Sequence, residues 1–219
     1  MGDGMITEFV IVRHGETSSN ADGIIQGHLQ TELNERGLYQ AHLAGKALAD
    51  ESFDRIVCSD LFRALKTAQI IAEENIHKGI PLQTTPELRE WFLGDFQGKT
   101  VDEINQKYPH VLDAFRYAGE DFAIPGGERR SEFYARVHHC LDRLAEEYAG
   151  KKILLVTHGG CLKAIFQQVV ASPGTGAMLP MTNNASICRV FRRDDKWQLN
   201  TWNESSHLKE SSVRETATF

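Results

Sequence analysis

Four consecutive apolar residues, Phe9 to Val12, stand near the start of the chain and run directly into Arg13, His14 and Gly15. A run this short and uninterrupted predicts a strand buried on both faces, as in a sheet covered by helices. Gly15 permits a sharp exit or a close backbone approach. Arg13 and His14 are therefore expected at the carboxyl end of a strand, where open α/β sheets place their ligands. The pattern returns late in the chain: Lys152 to Thr157 (KILLVT) predicts another buried strand, which delivers His158 into Gly159 and Gly160 ahead of a helix over Cys161 to Ala171.

Between these two strands the period alternates. Ser18 to Thr31 is polar and glycine-bearing, which predicts a surface loop beside His14. Asn34 is placed to cap a helix over Glu35 to Glu51, with Leu38, Ala41, Ala44 and Leu48 as its apolar stripe. Phe53 to Cys58 predicts a strand, and Ser59-Asp60 a cap for a helix over Leu61 to Asn75 that carries Arg63 in its first turn. Pro81 to Thr85 reads as a short strand; Gly94 and Gly98 argue against a helix after Glu90. Helical spacing resumes from Val101 to Gly119, broken at Pro109, with Phe115, Arg116 and Tyr117 near its end, and this segment is expected to cap the site. After the turn Pro125-Gly126-Gly127, Ser131 to Tyr148 predicts a long amphipathic helix, and Ser186 to Phe191 with Trp197 to Trp202 a terminal strand pair.

At 219 residues the chain suits one α/β domain, expected over residues 6–203 with the cap as an insertion at about 99–130 and a polar, frayed tail at 204–219. The net charge of -6 argues against a sequence-independent nucleic-acid binder, so any phosphate contacts are local. No apolar stretch approaches bilayer length and no secretory leader pattern opens the chain, so a cytoplasmic protein without membrane partners is expected. Cys58, Cys140, Cys161 and Cys188 are scattered without CxxC spacing and read as buried thiols. A homodimer is compatible with the sequence and not specified by it.

Two arginines and two histidines at strand ends and a helix start suit phosphoryl transfer. That chemistry asks for an in-line nucleophile, fixed positive charge on the equatorial oxygens and a proton for the leaving oxygen. His14 offers the nucleophile, since a neutral imidazole attacks phosphorus and the phosphohistidine is labile to water. Arg13, Arg63 and a protonated or donating His158 would cradle the oxygens. Glu90, flanked by Leu88, Trp91, Phe92 and Leu93, is the expected proton donor, its apolar neighbours raising its pKa toward working pH. Asp60 is left as a helix cap, and the other seven histidines receive structural roles, His28 being the one beside the site loop. Cys58 and Arg63 form C-x4-R, one residue short of the cysteine-phosphatase spacing. No aspartate cluster or His/Cys set has metal-ligand spacing, so neither metal nor cofactor is expected.

RHGET at 13–17, Asn20, SDLFRALKTA at 59–68, LRE at 88–90 and VTHGG at 156–160 together resemble the histidine phosphatase superfamily, also called phosphoglycerate mutase-like, from residue 7 to about 203. The resemblance implies a three-layer α/β/α sandwich on a mostly parallel sheet with a small helical cap. It implies that His14 is the phosphorylated histidine, Glu90 the acid, and Arg13, Arg63 and His158 the phosphate pocket. Asn20, Gln26, Gly27, Gly159 and Arg116 are implied as further phosphate or substrate contacts. Mutases of this family carry a pair of adjacent arginines after the acid and a longer insertion. Here that stretch reads FRYAGEDFAIPGGERR, with Arg116 alone between Phe115 and Tyr117, and its PGGE turn is similar to that of the phosphatase branch. The implied activity is hydrolysis of small-molecule phosphate esters, with phosphoglycerate mutase as the alternative and a non-catalytic phospho-ligand-binding module as a third reading. Trp91, Phe92, Phe115, Tyr117 and Phe122 suggest a partly apolar wall suited to uncharged or aromatic alcohols.

Overall fold

The computed structural model describes residues 5–109, 111, 122–172 and 179–211, without the side chains of 210 and 211. The buried apolar runs form the centre of a six-stranded mixed sheet. In chain order its strands are β1 (Ile6–Arg13), β2 (Arg55–Ser59), β3 (Leu82–Thr85), β4 (Lys152–Thr157), β5 (Ile187–Arg193) and β6 (Lys196–Glu204), arranged spatially as β3-β2-β4-β1-β5-β6. The first four pair in parallel; β5 and β6 add antiparallel to the β1 edge. The helices are α1 (Ser18–Ala21), α2 (Glu35–Ala47), α3 (Phe62–Glu74), α4 (Val101–Lys107), α5 (Arg130–Glu147) and α6 (Gly159–Val170).

Alternation along β1 divides the core into two layers, as a pleated strand must. Phe9 and Ile11 pack with Phe133, Val137 and Leu141 of α5 and Leu162 and Ile165 of α6; Val10 and Val12 pack with Ala44 of α2 and Ala64 and Ala68 of α3. This is the three-layer sandwich, and the whole of β1 from Phe9 to Val12 is fully buried within it.

Some local expectations give way. Ser18–Ala21 is a single helical turn, because Thr17 and Asn20 form a reciprocal capping box in which each side chain answers the other's backbone N–H. Asp60 does not cap α3: the Leu61 N–H donates to the Ser59 hydroxyl at 3.3 Å and the Phe62 N–H to the Gln30 side-chain oxygen at 3.0 Å, while both Asp60 oxygens take the Arg89 guanidinium, at 2.7 and 2.6 Å. Of the expected cap, Val101–Lys107 is helical, while Phe115, Arg116 and Tyr117 lie outside the described residues.

Part of the expected tail carries secondary structure. β6 continues to Glu204 and Ser206–Ser211 makes a 3-10 turn that drops Leu208, fully buried, among Val10, Val12, Ala185 and Ile187. One leucine in a polar stretch anchors the segment. Leu208→Ala should therefore cost about 2–5 kcal/mol of unfolding free energy, measured by urea titration; a loss under about 0.5 kcal/mol, the range of ordinary surface changes, would contradict this docking.

Candidate active site

The site follows from one register. β1 and β4 lie side by side in parallel with Arg13 opposite Thr157, so His14 and His158 leave the sheet next to each other, and the His14 N–H still donates to the Thr157 carbonyl at 2.9 Å. The two imidazole rings stand 5.1 Å apart between centroids. Both are buried, at 3% and 0% exposure. Gly15 lets the chain turn off the sheet under α2: a Cβ there would come within 2.4 Å of the Gly37 carbonyl oxygen.

His14 Nδ1 lies 2.7 Å from the carbonyl oxygen of Gly15. A carbonyl only accepts, so Nδ1 carries the proton, and in the neutral ring Nε2 holds the free lone pair. Burial, together with Arg63 and Arg13, holds the ring's pKa well below 6.5, against the opposing Gly15 hydrogen bond. His14 is thus a neutral, oriented imidazole at pH 7. His158 is driven the same way by burial, Arg63 and His14, and both its ring nitrogens are buried without a hydrogen-bond partner in the structure. It is a neutral donor in this state, and the protonated alternative is not the form present before an anion binds.

Arg13 and Arg63 are both 1% exposed. Burial lowers each from 12.5 to about 10, with Glu90 acting in the opposite direction, so both stay charged at neutral pH. Arg13 Nη1 donates to the Thr182 carbonyl. Arg63 reaches back from the first turn of α3 to the loop after β1, donating to the Gly27 carbonyl at 2.8 Å and the Leu29 carbonyl at 2.9 Å. Gly27 therefore enters the site by holding Arg63. The side-chain oxygens of Asn20 and Gln26 each lie 3.0 Å from the Thr17 hydroxyl, which leaves their amide N–H groups as the ones available to an anion. Gly159 opens α6, where the first N–H groups have no partner within the helix.

Glu90 arrives on the segment after β3. Its setting is less apolar than the flanking residues suggest: one oxygen accepts from the Gly160 N–H at 3.0 Å and the other from the Trp91 N–H at 2.9 Å. A Cβ on Gly160 would stand 2.1 Å from the carboxylate, so glycine is needed for this approach. His28 hydrogen-bonds the Glu90 backbone carbonyl at 2.7 Å, and Arg136 of α5 ties the carbonyls of Glu87, Arg89 and Glu90 together while pairing with Glu128. Trp91 turns inward and stacks on Phe133 at 5.6 Å, so it belongs to the core; Phe92 is 36% exposed beside His28. Cys58 lies buried, its thiol pushed up to about 12 by burial and Asp60, the opposite of a reactive thiolate.

Sequence reasoning missed the residues that act through the backbone. Asn184 donates to the His14 carbonyl at 3.0 Å, the Ala185 N–H contacts the Arg13 and His14 carbonyls at 3.0 and 3.2 Å, and Thr67 accepts from the Gly15 N–H at 3.1 Å. In the sequence Asn184 stands only as half of an Asn183-Asn184 pair ahead of β5, which by itself gives no role.

Residues 9–205 match the model of the histidine phosphatase superfamily, branch 1. The chain belongs to the histidine phosphatase superfamily. It is 38% identical over 207 residues to phosphoglycerate mutase-like protein 4 of Arabidopsis thaliana, covering 93% of this chain and 88% of that one. It is 37% identical over 205 residues to the metal-independent phosphoserine phosphatase of the same plant, covering 93% and 84%. Among solved structures, mycobacterial glucosyl-3-phosphoglycerate phosphatase with VO3 superposes with a TM-score of 0.81 at 32% identity, over 90% of this chain and 99% of that one. No helix among the described residues is long and apolar enough to cross a membrane, and no group of three or more His, Cys, Asp or Glu among them is arranged to hold a metal ion.

Two histidines held neutral predict a pH dependence. Each has a folded pKa below the unfolded 6.5, so the unfolded chain binds the extra protons as pH falls, and stability present above pH 6.5 is lost below it. The urea-derived stability should fall by about 1.4 kcal/mol per pH unit for each histidine, and His158→Asn should show a shallower slope between pH 6.5 and 5. An unchanged slope in the variant would show that His158 is not held neutral.

Proposed function

We propose that this protein is a phosphomonoesterase that works without metal or cofactor, hydrolysing small-molecule phosphate esters through a phosphohistidine on His14. One observation carries the reading: a buried histidine with its Nδ1 proton committed to Gly15 feels the charge of two buried arginines and stands 5.1 Å from a second histidine ring whose nitrogens have no partner. Such a group is shaped for a dianion and for attack on it.

In the first step His14 Nε2 attacks phosphorus, the bond from phosphorus to the ester oxygen breaks, and the leaving alkoxide takes a proton from Glu90. Arg13, Arg63 and the His158 N–H answer the charge on the three equatorial oxygens. In the second step Glu90 takes a proton from water, whose oxygen attacks phosphorus, and the P–N bond breaks to return His14 and inorganic phosphate. Asn20, Gln26 and the Gly159 N–H supply additional donors to the phosphate, and Arg116 is assigned to the ester's alcohol portion. Substrate hydrolysis rather than transfer to a second hydroxyl is supported by the phosphatase names of two relatives and by the short Pro125–Glu128 turn packed on the Glu90 segment, where Glu128 N–H donates to the Phe92 carbonyl at 2.9 Å. The mutase reading is supported by the name of the 38% identical relative and by the probable phosphoglycerate mutase GpmB of Yersinia pestis, 31% identical over 192 residues. We place the enzyme in the cytoplasm, a setting in which four buried free cysteines stay reduced.

His14→Ala should abolish phosphate release from any ester. Glu90→Gln should slow esters of aliphatic alcohols by about 10²–10⁴-fold and p-nitrophenyl phosphate far less, since that leaving group needs no proton. Excess chelator should leave both rates unchanged. Full hydrolysis by His14→Ala contradicts the mechanism, and rapid interconversion of 3- and 2-phosphoglycerate without free phosphate would favour the mutase reading.

A further inference from the structure

Residues 182–186, which lead into β5, touch Arg13 and His14 from three positions. The Thr182 carbonyl accepts from Arg13 Nη1, the Asn184 side chain donates to the His14 carbonyl at 3.0 Å, and the Ala185 N–H stands 3.0 and 3.2 Å from the Arg13 and His14 carbonyls. Ala185 makes its contact from the left-handed region, with a φ of 57°. That region costs a residue with a Cβ about 1–2 kcal/mol, so the surrounding structure must hold it. The conformation has a use. It sends the N–H to two carbonyls of the site while the side chain is fully buried in the layer that contains Val10, Val12 and Leu208.

The hold comes from residues 203–207. His207 Nε2 lies 3.0 Å from the Ala185 carbonyl oxygen. A carbonyl only accepts, so Nε2 carries the proton and donates. On the other side of the ring Nδ1 stands 3.4 Å from one Glu204 carboxylate oxygen, and the other oxygen of that carboxylate accepts from the Ser206 N–H at 2.7 Å. The His207 side chain is 8% exposed and its neighbour Leu208 is fully buried, so this turn is seated in the protein. Asn203 acts two residues earlier in the same loop, its Oδ1 accepting from the Asn183 N–H at 2.7 Å. Asn184, whose side chain reaches His14, is thus held on both flanks, at Asn183 by Asn203 and at Ala185 by His207.

We propose that His207 is a positioning residue for phosphoryl transfer: its hydrogen bond keeps Ala185 left-handed, and so keeps the Ala185 N–H and the Asn184 amide on the backbone of Arg13 and His14. The inference rests on the phosphatase reading above and adds to it a residue that touches neither phosphate nor alcohol. Arg63 on α3 and His158 after β4 are held by other elements. Loss of His207 therefore leaves those two in place and lets the nucleophile and its adjacent arginine drift. A displacement of about 1 Å at the reacting atoms is worth about a hundredfold in rate.

The test uses p-nitrophenyl phosphate, whose leaving group needs no proton, so that kcat/KM reports attack by His14. His207→Ala should lower kcat/KM about ten- to a hundredfold, and the Ala185 amide should lose its protection from deuterium exchange. His207→Gln, whose side-chain amide also offers an N–H to the Ala185 carbonyl, should recover most of both; urea titration establishes that each variant is folded in the assay. A folded His207→Ala with wild-type kcat/KM would overturn the proposal. Equal losses in the alanine and glutamine variants would overturn it too, since the ring would then serve only to fill space. If neither variant folds, wild type decides: long-range 1H–15N NMR should show the His207 proton on Nε2, and a ring protonated at Nδ1 alone overturns the proposal. A wild type that releases no phosphate from p-nitrophenyl phosphate would instead overturn the phosphatase reading, while exchange at the Ala185 amide still reads whether His207 holds that residue.

Discussion

The parallel pairing of β1 with β4 is the constraint on which the site depends. It sets Arg13 against Thr157, and so obliges the next residue of each strand, His14 and His158, to leave the sheet together at its carboxyl edge. A slip of one residue would send the alternating apolar positions of β1 to the wrong layers, Phe9 and Ile11 away from α5 and α6, and Val10 and Val12 away from α2 and α3. The core thus enforces the register that brings the two histidines together.

Around that pair the molecule manages a concentration of buried positive charge. Arg13 and Arg63 each give N–H groups to backbone carbonyls, Thr182 for the first and Gly27 and Leu29 for the second, which orients them at little electrostatic cost. The histidines respond by staying neutral. Neutrality leaves the His14 Nε2 lone pair free, as the proposed attack on phosphorus requires. The Thr182–Ser186 loop, held by β6 and the turn at Ser206–Ser211, fixes the backbone of Arg13 and His14 from the opposite side; His207 adds a hydrogen bond of 3.0 Å to the Ala185 carbonyl.

The sandwich and the chemistry-bearing strand ends were legible because buried strands write themselves as apolar runs and both histidines follow such runs directly. What was not legible acts at long range or through the backbone. Asp60 stands where a helix cap would stand, and only the fold reveals that Arg89, 29 residues on, reaches it first. The turn at Ser18–Ala21 escaped notice because its capping box is closed by Asn20 rather than by Glu or Gln. Leu208 is one apolar residue in a polar tail, too little for any periodicity, yet full burial makes it decisive. Thr182 and Ala185 contribute carbonyl and amide contacts that no residue pattern announces.

The central claim is that the Nδ1 proton of His14 is committed to the Gly15 carbonyl and that Nε2 makes the bond to phosphorus. Quenching the enzyme into alkali during turnover of a phosphate ester, followed by mass spectrometry and 31P NMR of the phosphorylated peptide, tests it directly. The account predicts Nε2-phosphohistidine at position 14. Phosphorylation at Nδ1, or on any other side chain, would contradict it.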